Sequence, residues 1–141
     1  APSNGSAAIV SRTSGFGTDI IYQVAWNGTL FVAVGGAGKI STSPDGITWT
    51  ARTSGTASVL YGVTANPATG RCVAVGATGT VLTSADGITW TTPNTVYNIG
   101  SVNVITVGFG DGVFIIGPIA SGSSIWVSPD GINWSLRNAQ T

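Results

Sequence analysis

Histidine, glutamate and methionine are absent from this chain of 141 residues, and cysteine occurs once, at Cys72. Without histidine no Ser–His–Asp relay can be assembled. General acid–base work would fall to aspartate, tyrosine or lysine. The zinc-type clusters of cysteine and histidine have no raw material, and a lone cysteine excludes an internal disulfide framework. No cofactor or metal is expected. Charge is scarce too: Asp, Lys and Arg make up 7% of residues, against about 25% in an ordinary soluble domain. Arg12, Lys39, Arg52, Arg71 and Arg137 balance Asp19, Asp45, Asp86, Asp111 and Asp130 to a net charge of zero. Five scattered cations cannot form the positive stripe that phosphate binding needs, so nucleic acid is not an expected partner. Apolar runs are short and broken by Gly, Asn and Thr, far below the ~20 residues of a membrane helix, so membrane insertion is not expected either.

What the chain has is hydrophobicity (43% of residues, mean hydropathy +0.36), 21 glycines and 6 prolines. That composition folds rather than staying disordered, and its turn residues punctuate short strands. One unit occurs in three copies. Ser43-Pro-Asp-Gly-Ile-Thr-Trp49 recurs as Ser84-Ala-Asp-Gly-Ile-Thr-Trp90 and as Ser128-Pro-Asp-Gly-Ile-Asn-Trp134. Upstream of each lies an apolar strand: Leu30–Gly35, Arg71–Gly76 and Val113–Gly117. Another precedes it, around Tyr22–Trp26, Tyr61–Ala65 and Val104–Val107, across a turn that begins Asn27-Gly28, Asn66-Pro67 or Gly110-Asp111. Asn-Gly between apolar runs is a strong hairpin signal. No sustained 3.6-residue period runs through the chain, so the reading is all-β.

A repeat of ~40–50 residues with four strands each is the mark of a propeller blade, a unit that cannot bury its faces alone. The expected division is an N-terminal arm over 1–19 with an extra outer strand, then blades over 20–54, 55–94 and 95–141. Ile9–Gly15 carries that expectation, because it resembles Trp49–Gly55 at the end of the first blade. The heptad has a local task. Ser43, Asp45, Gly46 and Trp49, with Ser84, Asp86, Gly87 and Trp90, and Ser128, Asp130, Gly131 and Trp134, are expected to be structural. The aspartate accepts backbone N–H groups, the glycine permits positive φ and the tryptophan anchors the outgoing strand.

These heptads resemble Asp-boxes, the Ser-x-Asp-x-Gly-x-x-Trp turns of sialidase-type and related propellers, shortened by one residue so that Asp and Gly are adjacent. The longer pattern is similar to repeats in tail and other virion proteins of bacteriophages, and the resemblance covers about residues 20–137. It implies β-propeller blades and places the boxes away from binding sites. The sialidase apparatus needs a glutamate and is missing. A closed ring takes ~4–8 blades, so three imply completion by oligomerisation, with a homodimer of six blades favoured. The alternative is a threefold, β-prism-like arrangement.

No catalytic residue is assigned. Asp111 reads as a hairpin turn and Asp19 as a solvated turn, which leaves no carboxylate pair for glycoside hydrolysis. Three aromatics depart from the repeat or lie in an irregular stretch: Trp26, Trp126 and Tyr97. They are candidates for ligand or interface contact. The expected function is a non-enzymatic virion structural or surface-recognition protein, from a phage tail, fibre or capsid surface. Its partners would be itself, other virion proteins or cell-surface glycans. The alternative is a secreted oligomeric lectin.

Overall fold

Runs of Val, Ile and Thr between glycine turns favour extended backbone. The computed structural model, which describes residues 10–92, 99–118 and 124–138, is all-β, with three antiparallel sheets. The first contains β1 (Ile21–Trp26), β2 (Phe31–Gly35), β3 (Ile40–Ser43) and β4 (Thr50–Arg52), hydrogen-bonded in that order. The second contains β5 (Leu60–Ala65), β6 (Cys72–Gly76) and β7 (Val81–Ser84); the third contains β8 (Val104–Gly110), β9 (Val113–Pro118), β10 (Ser124–Ser128) and β11 (Ser135–Asn138). The expected four strands per unit are found in the outer two sheets. In the middle one the described residues of the fourth strand show the bridge Thr83 to Thr91, with N–H···O distances of 2.8 and 2.9 Å.

The sheets follow one another face to face without closing, β5 packing between β1 and β8. Their registers repeat. Each first strand carries an irregularity at its second residue, so Ile21, Leu60 and Val104 are equivalent, and so are Trp26, Ala65 and Phe109. The second and third strands of blades 1 and 2 are joined by tight turns, Gly36–Gly38 and Ala77–Gly79.

Two apolar clusters lie at the two junctions between sheets. Val32, Val34 and Ile40 of blade 1 meet Leu60, Val63, Cys72, Ala74, Leu82 and Trp90 of blade 2. On the other face of blade 2, Val73, Val75 and Val81 meet Val104, Phe114, Ile116, Trp126 and Trp134 of blade 3. Alternate residues of β6 therefore serve opposite junctions. This explains why Cys72–Gly76 reads as an unbroken apolar run: both faces are buried. Each fully buried Val or Leu contributes roughly 1.5–3 kcal/mol.

Within the single chain, residues 10–20 form no strand. Gly15 turns the chain at φ +82°, and a Cβ there would meet Ser41 and Ala51 of blade 1. The Ser41 hydroxyl donates to Ser14 O (2.7 Å), and Lys39 Nζ donates to Phe16 O (3.0 Å) and pairs with Asp19 (2.6 Å). Side chains of blade 1 take up the arm's carbonyls, and Phe16 is buried. The described part of the arm thus covers the outer half of blade 1.

Candidate functional site

The three Asp–Gly corners are built alike. Asp45 Oδ1 accepts the N–H groups of Ile47 (2.8 Å) and Thr48 (3.0 Å), while Ser43 Oγ accepts that of Gly46 (2.8 Å). Asp86 accepts from Ile88 (2.8 Å) and Thr89 (3.1 Å), and Ser84 from Gly87 (2.8 Å). Asp130 accepts from Ile132 and Asn133, both at 2.8 Å, and Ser128 from Gly131 (2.8 Å). In the first two corners the indole closes the turn: Trp49 Nε1 donates to Gly46 O (3.2 Å) and Trp90 Nε1 to Gly87 O (2.9 Å). Trp134 Nε1 is buried without a partner.

These bonds act on the charged form. The N–H groups of Thr48 and Ile47 hold Asp45 below the ordinary carboxylate range, and those of Ile88 and Thr89 do the same for Asp86. Partial burial pushes Asp130 up, but the backbone N–H groups of Asn133 and Ile132 and the Asn133 amide outweigh it, and its pKa is lowered strongly. A carboxylate held ionised by fixed donors is poorly suited to carry a proton for chemistry at neutral pH. Asp19 is committed to Lys39, and Asp111 sits at φ +48° in the β8–β9 turn. Among the described residues no group of three or more His, Cys, Asp or Glu could hold a metal ion.

The junctions hold the residues that the sequence reading missed. Asn27 looks like half of a hairpin turn, yet it is buried, and its carboxamide clamps two blades. Nδ2 donates across the junction to Asp86 O (2.9 Å) and Gly70 O (3.4 Å), while Oδ1 accepts from Thr29 N (3.0 Å) and Leu30 N (2.8 Å). Its counterpart Asn66 stands in a loop two residues longer and accepts only locally, from Ala68 N (3.0 Å). A shallow groove of about 290 Å³ remains there between blades 2 and 3, lined by Asn66, Arg71, Phe114 and Asp130 among others. That difference in loop length was the available signal. Cys72 lies beside Asn27 with its thiol pushed up to about 11 by burial, a packed residue rather than a nucleophile.

Trp126, a candidate for ligand or interface contact, is buried between blades 2 and 3, a junction inside the chain rather than a surface open to ligand or partner. Tyr97 lies outside the described residues. Trp26 is exposed on β1 and rests on Phe31, with ring centroids 4.7 Å apart.

No protein-family model matches this chain, and neither does any curated protein. A solved structure does: YCF48 bound to D1 peptide, a β-propeller protein, superimposes with a TM-score of 0.67 at 19% identity. The match covers 84% of this chain and 39% of that one, so the chain spans about two fifths of the neighbour's length. The fold is that of β-propeller blades. At this identity the likeness is one of architecture alone.

The ring is open. The leading face of blade 1 repeats the positions by which blade 2 meets blade 1, but among the described residues nothing covers its inner half. Ile21, Val24 and Trp26 are 41%, 47% and 42% exposed, where their equivalents Leu60, Val63 and Ala65 are 0%, 2% and 8%. The trailing face of blade 3 mirrors this. Ile115 and Ile125 are 40% and 44% exposed, where Val32 and Ile40 are 0% and 1%. These exposed side chains are of the core-forming kind and stand at core-forming positions.

Proposed function

We propose that this chain is a non-enzymatic virion structural or surface-recognition protein, a set of propeller blades that works by being joined to other blades. The observation that carries the reading is the pair of open apolar flanks, which repeat the positions of two junctions already made within the chain. The corners support the non-enzymatic part. Three of the five aspartates are spent on backbone turns, and their geometry fits Asp-boxes of the shortened form. The virion setting rests on the resemblance of the repeated strand–turn–heptad pattern to phage tail and virion repeats, together with low charge and a net charge of zero.

The competing lectin reading needs an exposed aromatic platform. Trp26 offers one face, but its pairing with Phe31 matches the pair Phe109–Phe114 of blade 3, which has the same 4.7 Å separation and packs at the junction with blade 2. That favours protein contact over sugar stacking.

Mass spectrometry of purified particles from the source of the sequence, with antibody labelling of intact ones, tests the proposal. Stoichiometric presence at the particle surface is expected. A protein confined to the soluble fraction, with specific signals on a glycan array, would overturn it in favour of the lectin.

A further inference from the structure

At both internal junctions the same small fitting recurs. The glycine of an Asp–Gly corner faces a valine of the preceding blade. A Cβ at Gly87 would lie 3.0 Å from Val32 Cγ2, and one at Gly131 would lie 3.0 Å from Val73 Cγ2. These glycines act as sockets for a branched knob, and a side chain would fill them. Gly46, the same residue in the first corner, has nothing within 4 Å. The register identifies the missing knob: the position of Val32 and Val73 is held in blade 3 by Ile115, exposed on the trailing face.

The aromatic pairs agree. Phe109 and Phe114, at 4.7 Å and 48°, pack on the side of blade 3 that meets blade 2. Trp26 and Phe31, at 4.7 Å and 55°, stand at the equivalent positions of blade 1 with no blade before them. The outer edge matches as well. Arg52 of blade 1 lines an open groove together with Ile88, Thr89 and Trp90 of the second blade. Arg137, paired with Ile125 as Arg52 is with Ile40, occupies that place at the open end.

We infer that the Gly46 corner and the Trp26–Phe31 pair form a socket for the trailing face of blade 3 of a second copy of this chain, with Ile115 as the knob. The contact is head-to-tail, so each copy has one socket and one knob, and two copies give six blades, within the ~4–8 of closed propellers. The arm over Ser41 confines the contact to the inner half of the face. The inference rests on the reading that the blades work by joining others, and it names this chain itself as the first partner.

Analytical ultracentrifugation and native mass spectrometry test it with single-face variants. Wild type is expected at a multiple of 14.1 kDa, dimer favoured. Trp26→Asp, with Gly46→Asn as a second socket variant, and Ile115→Asp, with Ile125→Asp as a second knob variant, are each expected to weaken association at least tenfold. Circular dichroism checks that they remain folded. Mixing Trp26→Asp with Ile115→Asp is then decisive. A head-to-tail contact leaves one wild-type socket facing one wild-type knob, so association returns in the mixture. If the knob variants assemble as wild type does, or mixing restores nothing, the head-to-tail assignment is overturned. If wild type is monomeric up to millimolar concentration, self-association is overturned, while the virion reading stands or falls separately on the particle experiment.

Discussion

Three single-residue features have measurable consequences. Buried Asn27 satisfies donors and acceptors on both sides of the junction, so Asn27→Ala removes the side-chain partner of Thr29 N, Leu30 N and Asp86 O at part-buried positions. A loss of about 2 kcal/mol is expected in a urea unfolding series. Cys72 should resist thiol reagents such as Ellman's reagent in the native protein and react fully in denaturant, because burial raises its pKa to about 11 and blocks access. The corner aspartates set the acid limit. Asp45, Asp86 and Asp130 all have lowered pKa values in the folded chain. Above the unfolded value of ~4 their contribution is fully present, and it is lost as pH falls from there toward the folded values. Melting temperature should therefore change little between pH 5 and 8, where no histidine titrates, and fall steeply below pH 4. A decline beginning near pH 6 would assign acid lability to other groups.

Tight turns at the scale of the element decide how closely blades approach. Gly38 closes the β2–β3 turn at φ +70°, and a Cβ there would run into Thr56 O of the linker to the next blade. Gly79 makes the same approach to Gly100 O. Gly55 has a similar φ of +80° but nothing within 4 Å. The pair separates two costs. Gly55→Ala is expected to lose about 1 kcal/mol from backbone conformation alone, and Gly38→Ala at least about 1 kcal/mol more, because backbone must move. Equal losses in thermal or urea unfolding would show that the close approach is not needed. The strands themselves were legible in the heptads and in the apolar runs before them. The turn residues of the first unit delimit, in the sequence, strands at roughly 20–26, 30–35, 38–43 and 47–53, and the structure has them at 21–26, 31–35, 40–43 and 50–52. The offsets fall where the 3-10 turn and the Asp–Gly corner occupy residues that composition assigns to strand. Ile9–Gly15 copies an outer strand in sequence, and in the single chain Gly15 turns at φ +82° beside Ser41 and Ala51 of blade 1.

For the whole molecule, three blades cover two junctions and leave two flanks apolar. If copies join through those flanks, folding and assembly are linked, and melting temperature should rise with protein concentration across the range where the oligomer forms. A melting temperature independent of concentration from 1 µM to 1 mM would argue that the flanks do not associate.

The sequence alone determined the repeat, the three corners and the all-β class, because those depend on spacing and on local bonds between residues two or three apart. It also implied that three blades fall short of a ring. Only the tertiary structure decided which face each apolar residue serves. β-Strand alternation sends neighbours to opposite sides, and in a strand buried on both sides the sequence carries no mark of which side is which. That is why Trp126 proved to be core and Trp26 open, and why Gly46, expected only as a corner glycine, and Ile115, unremarked in the sequence, could be paired as the proposed socket and knob.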